Sequence, residues 1–438
     1  MKINFYNLIS FLGIFVLIFT AWLFSADKKR MNWRAIIWGI IIQIVFGLFI
    51  FVIPAGTKLF LLFNDVIVKI LDAATSGSKF LFGRLAIPPG QVSDSGEPSL
   101  GFMLAFQGFP TIIFFSSFIS ILYFFRIMPV IIRGFAYIFT RLMKVSGAES
   151  LVTSSNIFAG VESVLTVKPY LEKMTSSEFC TILTAGMATV ASNVLALYIF
   201  SLKQYFPSIA GHLISASILS APAAIVMSKV IMPEKENPET LGVHVKLHYE
   251  KEKSFFEAVI NGANSGLKMI AGIAALLVAG LGLISVLDLF ISFVGGKINL
   301  LAGIHFDWTL RNILGYVFYP VTLIMGVPGS DAGIISKIIG ERLVLTEVVS
   351  YQDLAAALSK NMILDMRSTV IATYALCGFA HIASMAIFVG GTAALAPQRT
   401  RAISGVAVRA LIAATLACFQ TACIAGMFYT NNSILLGN

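Results

Sequence analysis

The sequence predicts an all-α integral membrane protein of about eight transmembrane helices, with two re-entrant helical hairpins in an inverted repeat. Three observations point there. Of 438 residues, 57% are apolar or aromatic and only 12% are charged, about half the roughly 25% charged residues of a soluble domain. The apolar residues gather into runs of about 20, the length that crosses a bilayer as a helix. A broken apolar segment followed by a helix with a polar centre occurs twice. This composition excludes a water-soluble enzyme, a disordered chain and a nucleic-acid-binding protein. The formal charge of +9, from 31 basic and 22 acidic residues, marks cytoplasmic loops and not a polyanionic partner. Cys180, Cys377, Cys418 and Cys423 lie in apolar stretches without C-x-x-C spacing and read as helix-packing residues.

The first span runs from about 8 to 24 and ends at Asp27-Lys28-Lys29-Arg30. A cleaved secretory signal carries its positive charge before the apolar run. Here the charge follows, so the segment is a retained helix that starts outside. Further spans lie at about 34–53, 103–128, 178–201, 205–232, 258–295, 366–391 and 403–430. With the first loop inside, Arg141 and Lys144, the polar loop 233–253, and Arg399 and Arg401 fall inside too, provided two intervening segments do not cross. Both termini then lie on the outer side. The stretch 256–295 is long for one span and implies tilt or extension beyond the bilayer. Residues 55–75 and 130–146 read as interfacial helices, and 76–100, with Pro88-Pro89-Gly90, as an external connection.

Two segments resist a simple span. Residues 147–174 are half apolar yet carry Glu149, Asn156 and Glu162. Residues 313–350 break at Gly326-Val327-Pro328-Gly329-Ser330-Asp331 and then carry Glu341, Arg342 and Glu347. Irregular backbone at membrane depth persists only where protein or a cavity covers it, so both read as re-entrant hairpins. Amphipathic helices on the membrane surface are the alternative. After the first comes Gly186-Met187-Ala188-Thr189-Val190-Ala191-Ser192, and after the second Gly378-Phe379-Ala380-His381-Ile382-Ala383-Ser384, identical at four of seven positions. Hairpins entering from opposite sides form the inverted repeat with which secondary transporters build a midplane site. The chain then divides into N-terminal scaffold and interfacial helices (1–146), a first hairpin and transport repeat (147–232), a long scaffold helix and connection (256–312), and a second hairpin and transport repeat (313–438).

Glu162 and Glu347 lead the functional candidates, since an ionised carboxylate at bilayer depth is costly and marks a site by default. Pairing with Lys or Arg near the headgroups is the alternative. Asn156 could likewise cap a helix at the hairpin break. Asp331, Lys337, Glu341 and Arg342 read as a solvated or interfacial charge cluster, and Lys268 as a residue near a helix start that snorkels to the interface. The five histidines offer no metalloenzyme ligand set. His244 and His248 are four apart, but in a polar loop with no third ligand nearby.

Longer motifs add a family. Asn32-Trp33-Arg34, Phe106-Gln107-Gly108-Phe109-Pro110-Thr111-Ile112-Ile113-Phe114-Phe115, Lys168-Pro169-Tyr170-Leu171, Ile371-Ala372-Thr373-Tyr374-Ala375-Leu376-Cys377-Gly378-Phe379-Ala380, and Gly390-Gly391 through Leu395-Ala396-Pro397 stand in order. Together they resemble the concentrative nucleoside transporter family over nearly the whole chain. The resemblance implies a homotrimer in the cell membrane. Each subunit would carry a nucleoside and a coupling sodium ion between hairpin tips and two unwound helices, with no enzymatic activity and no other cofactor.

Residue by residue, the resemblance makes Glu347 the acceptor of ribose hydroxyls, a task that suits an acceptor-only carboxylate. It places Phe379 on the base, Ser384 on the ribose, Val194 in an apolar wall and Glu162 at the first hairpin tip. His381 departs from the usual family Asn; neutral imidazole also donates and accepts, but is bulkier and can become charged. Gly160-Val161-Glu162 is one residue shorter than the family's Gly-Gln-(Thr or Ser)-Glu, so Val161 stands where a base-reading Gln would. Asn156 and Thr189 match the side chains, and Ala159 and Val190 the carbonyls, that bind sodium in sodium-coupled members. Unwound helix ends leave such carbonyls free. The expected function is sodium-coupled nucleoside uptake. The alternative is proton-coupled symport of a modified nucleoside or nucleoside-like molecule, with His381 or Glu347 titrating. A lipid-acting enzyme lacks its acid–base or metal set, and a channel leaves the inverted repeat unexplained.

Overall fold

The computed structural model describes residues 4–93, 96–248 and 252–430, as sixteen α-helices joined by short loops and 3-10 turns, without a strand among the described residues. In chain order come α1 (Phe5–Leu23), α2 (Trp33–Phe51), α3 (Pro54–Phe82), α4 (Phe109–Phe124), α5 (Ile127–Met143) and α6 (Gly147–Asn156). A 3-10 helix over Val161–Lys173 leads to α7 (Ser176–Ala188), α8 (Ser192–Leu202) and α9 (Ile209–Ile231). The remainder is α10 (Phe255–Ala302), α11 (Leu310–Ile324), α12 (Gly329–Val344), α13 (Glu347–Ser359), α14 (Met366–Leu376), α15 (Ile382–Leu395) and α16 (Thr400–Phe428).

Among the described residues, seven helical stretches are long and apolar enough to cross a membrane. The span expected at 366–391 is instead two half-helices, α14 and α15, because residues 377–381 leave the helical conformation and His381 restarts it as an N-cap. Residues 189–191 interrupt the stretch 178–201 in the same way, between α7 and α8. The matching heptads do not superpose on these breaks. Thr189 begins the first break and is fourth in its heptad, whereas His381, fourth in the other, ends the second. The fourfold identity is therefore out of register with the structure, although the order of elements does recur.

Hydrogen bonds gather one set of loops at one end of the bundle. Asp27 pairs with Lys235 (3.1 Å), and the Ala26 N–H donates to the Ile231 carbonyl (2.8 Å). Arg34 donates to the Leu142 carbonyl (3.1 Å), the Gly147 N–H to that of Thr240 (2.8 Å), and Arg399 to that of Met174 (2.6 Å). The basic loops expected on one side thus do share one end. Both outer ends of the α6/3-10 pair lie there: Ser146 caps α6, and Lys173 pairs with Glu239 (2.9 Å). The outer ends of the α12/α13 pair lie at the opposite end, where Asp331 accepts from the N–H groups of Leu364 and Asp365 (3.2 and 3.0 Å).

Several expectations are corrected. Gly326-Val327-Pro328 joins α11 to α12, and Glu347 stands at the next turn, between α12 and α13. The breaker and the glutamate therefore belong to different turns. Helix α3 continues to Phe82, well into the expected connection 76–100, because nothing from 55 to 82 but glycine opposes helix. The supposed charge cluster is dispersed. Asp331 is buried and also accepts from Ser368 (2.7 Å), Arg342 is buried and donates to the Ala375 carbonyl, and Glu341 faces Arg311 (3.4 Å). The 48 residues of α10 span about 70 Å at helical rise, far more than a hydrocarbon core of about 30 Å. Gly262 and Gly266 let it approach the α4 backbone at Ser116–Ser117 and Ile112–Ile113.

Two polar ties organise the interior. Lys229 on α9 lies 2.8 Å from Glu149 and donates to Ser177 Oγ (3.0 Å). Glu149 and Glu178 close capping boxes with Ser146 and Thr175 at the starts of α6 and α7. Removing one partner would strand the buried charge of the other. At the far end, Arg367 donates to the carbonyls of Gly326 (2.7 Å), Tyr6 (2.8 Å) and Gly426 (2.9 Å) and to Ser10 Oγ (2.8 Å). One guanidinium thereby ties α1, the α11–α12 turn and the end of α16.

Candidate functional site

The two helix breaks meet the two helix-pair tips beside a cavity of about 390 Å³. The tip Gly160–Glu162, the break residue Ala191 with Val194, the turn Thr346–Val348, the second break at Phe379 and His381, and Ser384 line it. Every substrate-site residue expected from the sequence is therefore in this one wall. Ile387 and Phe388 of α15 and a stripe along α10 complete it.

Its polar centre is Glu347, the first residue of α13, buried to 3% exposure. Tyr198 of α8 donates its hydroxyl to Oε1 (2.6 Å). His381 caps α15: its Nδ1 accepts the Ser384 N–H (3.2 Å), which leaves the proton on Nε2 and the ring neutral. That Nε2 lies 2.8 Å from Glu347 Oε2 and 2.8 Å from Ser384 Oγ. Nε2 thus sits between the Ser384 hydroxyl and the Glu347 carboxylate. An ionised carboxylate has about four lone-pair sites, so Tyr198 and His381 leave it able to accept further donors from a ligand or water. Around it the walls are apolar, with Val161, Val194, Phe379 and Phe388 presenting flat or branched surface. The arrangement can hold paired hydroxyls at one end of a flat, largely apolar molecule.

The cation candidates lie one layer deeper. The Ser192 N–H donates to the Phe158 carbonyl (3.1 Å), which pins the first tip to the first break. Asn156, Ala159, Thr189 and Val190 stand on these two segments. Asn156 Oδ1 accepts from Ser163 (2.9 Å), and among the described residues its Nδ2 has no partner. Thr189 donates its hydroxyl to the Ala185 carbonyl (2.8 Å), leaving the oxygen lone pairs open. Ala159 and Val190 are non-helical, and among the described residues no main-chain N–H donates to their carbonyls. This donor set of oxygens suits a hard monovalent cation. Among the described residues no cluster of three or more His, Cys, Asp or Glu could hold a metal ion.

Sequence reasoning missed Tyr198, because a tyrosine inside Leu197-Tyr198-Ile199-Phe200 carries no signal beyond packing. It also misplaced Lys268, which lies about 20 Å along α10 by helical rise and lines the cavity instead of the helix start.

Residues 12–85 match the N-terminal part and 212–426 the C-terminal part of the Na+ dependent nucleoside transporter family, and 105–205 match a nucleoside recognition gate domain. The chain is 35% identical to the nucleoside permease NupC of Helicobacter pylori, covering 98% of this chain and 99% of that protein. It is 36% identical to solute carrier family 28 member 3 of Mus musculus over 97% of its own length, and spans 59% of that longer protein. It also resembles the solved structure of CNTnw in an inward-facing substrate-bound state, with a TM-score of 0.85, 32% identity, and coverage of 97% and 98% of the two chains.

Proposed function

The chain is a member of the concentrative nucleoside transporter family, multi-pass membrane transporters and not enzymes, and on that premise we propose that it takes up nucleosides in symport with sodium. The observation that carries this reading is the buried carboxylate of Glu347, held by Tyr198 and His381 beside Ser384 on a cavity with largely apolar walls. Ribose hydroxyls donate to the remaining lone pairs of the Glu347 carboxylate, and Phe379 and Val194 cover the base. Sodium is held by the side chains of Asn156 and Thr189 and the carbonyls of Ala159 and Val190. The two helix pairs enter a cell membrane from opposite faces as re-entrant hairpins, with both termini outside. The subunits form a homotrimer, which accounts for the long, exposed, apolar surface of α10.

A proton-coupled symporter is the second reading, favoured by the 2.8 Å separation of His381 and Glu347 at the cavity wall. Purified protein in proteoliposomes separates the two. Uptake of radiolabelled uridine, inosine and adenosine is measured under a sodium gradient and under a pH gradient. Saturable uptake of at least one under sodium alone is expected. Uptake that follows only the pH gradient selects the proton reading, and none under either gradient overturns the nucleoside assignment.

A further inference from the structure

Lys268 has no part in the reading above, yet it stands in the same cavity. Ser265, Lys268, Met269, Gly272, Ile273 and Leu276 line it at spacings of three and four along α10, which is one face of a helix. Among the described residues the Lys268 ammonium makes no hydrogen bond, ion pair or ring contact. Glu162 on the facing tip is likewise without a partner. An ammonium held unpaired on this wall presents three donors and no acceptor. The hydroxyl-binding end is fixed at Glu347, His381 and Ser384, so a base extending from the sugar reaches toward the first tip and α10. At that tip Val161 offers the base no hydrogen bond.

We propose that Lys268 reads the nucleobase, donating to a ring carbonyl, and that it selects oxo bases such as those of uridine and inosine over adenosine. Adenine has no carbonyl and would turn an amino donor toward the ammonium, and like donors facing each other are a device of specificity. Lys268 is thus a specificity-determining residue contributed by a helix outside both helix pairs. The inference rests on the nucleoside reading given above.

The test is uptake kinetics for uridine, inosine and adenosine in the wild type and in Lys268→Met, Lys268→Gln and Lys268→Arg, with thermal unfolding of each in detergent. Lys268 is exposed to the cavity, so the unfolding temperatures should match. The wild type should prefer uridine and inosine. Lys268→Met should raise their half-saturating concentrations about ten-fold, the loss of one charged hydrogen bond, and lower that of adenosine, whose amino group no longer meets the ammonium. Lys268→Arg should keep the preference, and Lys268→Gln, a neutral donor, should fall between. A parallel change for all three nucleosides, or no change, overturns the inference while leaving the nucleoside reading intact. A wild type that takes up none of them overturns both.

Discussion

Gly378 in the second break rests directly on the carbonyl of Ala188, which ends α7 at the first break. A Cβ at Gly378 would lie 2.8 Å from that oxygen and 2.6 Å from Cys418 Sγ. Cys418 of α16 in turn offers its thiol to the Ala188 and Cys377 carbonyls (3.7 and 3.5 Å). Two half-helices thus end against each other and against one sulfur, which fixes the spacing of the sites on either side.

Gly378→Ala should therefore destabilise the fold by about 1–3 kcal/mol through overpacking and reduce uptake. Thermal unfolding in detergent, set beside uptake, checks this. An unchanged unfolding temperature would mean that the crossing is looser than these distances say.

Glu347→Gln should abolish nucleoside uptake while leaving the protein folded, because the amide loses its charge-assisted bonds to hydroxyls. Tyr198→Phe removes only the bond to Oε1 and should weaken binding more mildly, by about ten-fold. Titration calorimetry with the two variants orders them; equal effects would contradict separate roles for the two oxygens.

His381→Asn should preserve stability, since Asn caps a helix start well, whereas His381→Ala should cost about 1 kcal/mol. Unfolding temperatures of the two variants report this directly. If Ala is as stable as Asn, the bond from the Ser384 N–H to Nδ1 does not support α15.

Asn156→Ala should raise the half-saturating sodium concentration for uptake and leave nucleoside affinity at saturating sodium nearly intact. The measurement is uptake across a sodium series at fixed nucleoside. A variant with the sodium dependence of the wild type would remove Asn156 from the cation site.

Much of this architecture was legible because apolar runs of span length report helices whatever their neighbours do. The basic residues Arg141 and Arg399 likewise foretold which loops share an end. Glu347 and Ser384 stood out as polar residues in apolar surroundings and by family motif. The breaks were harder to read. Residues 377–381 carry one glycine and no proline, and their departure from helix depends on Ala188, Cys418 and the His381 cap, all tertiary partners. Lys268 was misread for a related reason: the elements that cover one face of α10 are tertiary partners, and they decide whether a lysine reaches the interface or faces a cavity.

Arg367 draws its four acceptors from Tyr6, Ser10, Gly326 and Gly426, and Asn7 adds bonds to carbonyls more than 400 residues onward, with a separation of 419 to Gly426. During synthesis, α1 reaches the membrane long before the ribosome has made Arg367 or α16. It must wait there with its inner face unfilled while the intervening helices are threaded. The guanidinium, once made, lacks one of its four acceptors until α16 arrives, so α16 locks α1 in place. Loss of α16 would leave the Arg367 guanidinium with Tyr6, Ser10 and Gly326 but without the Gly426 carbonyl, and would strip Asn7 of its acceptors there.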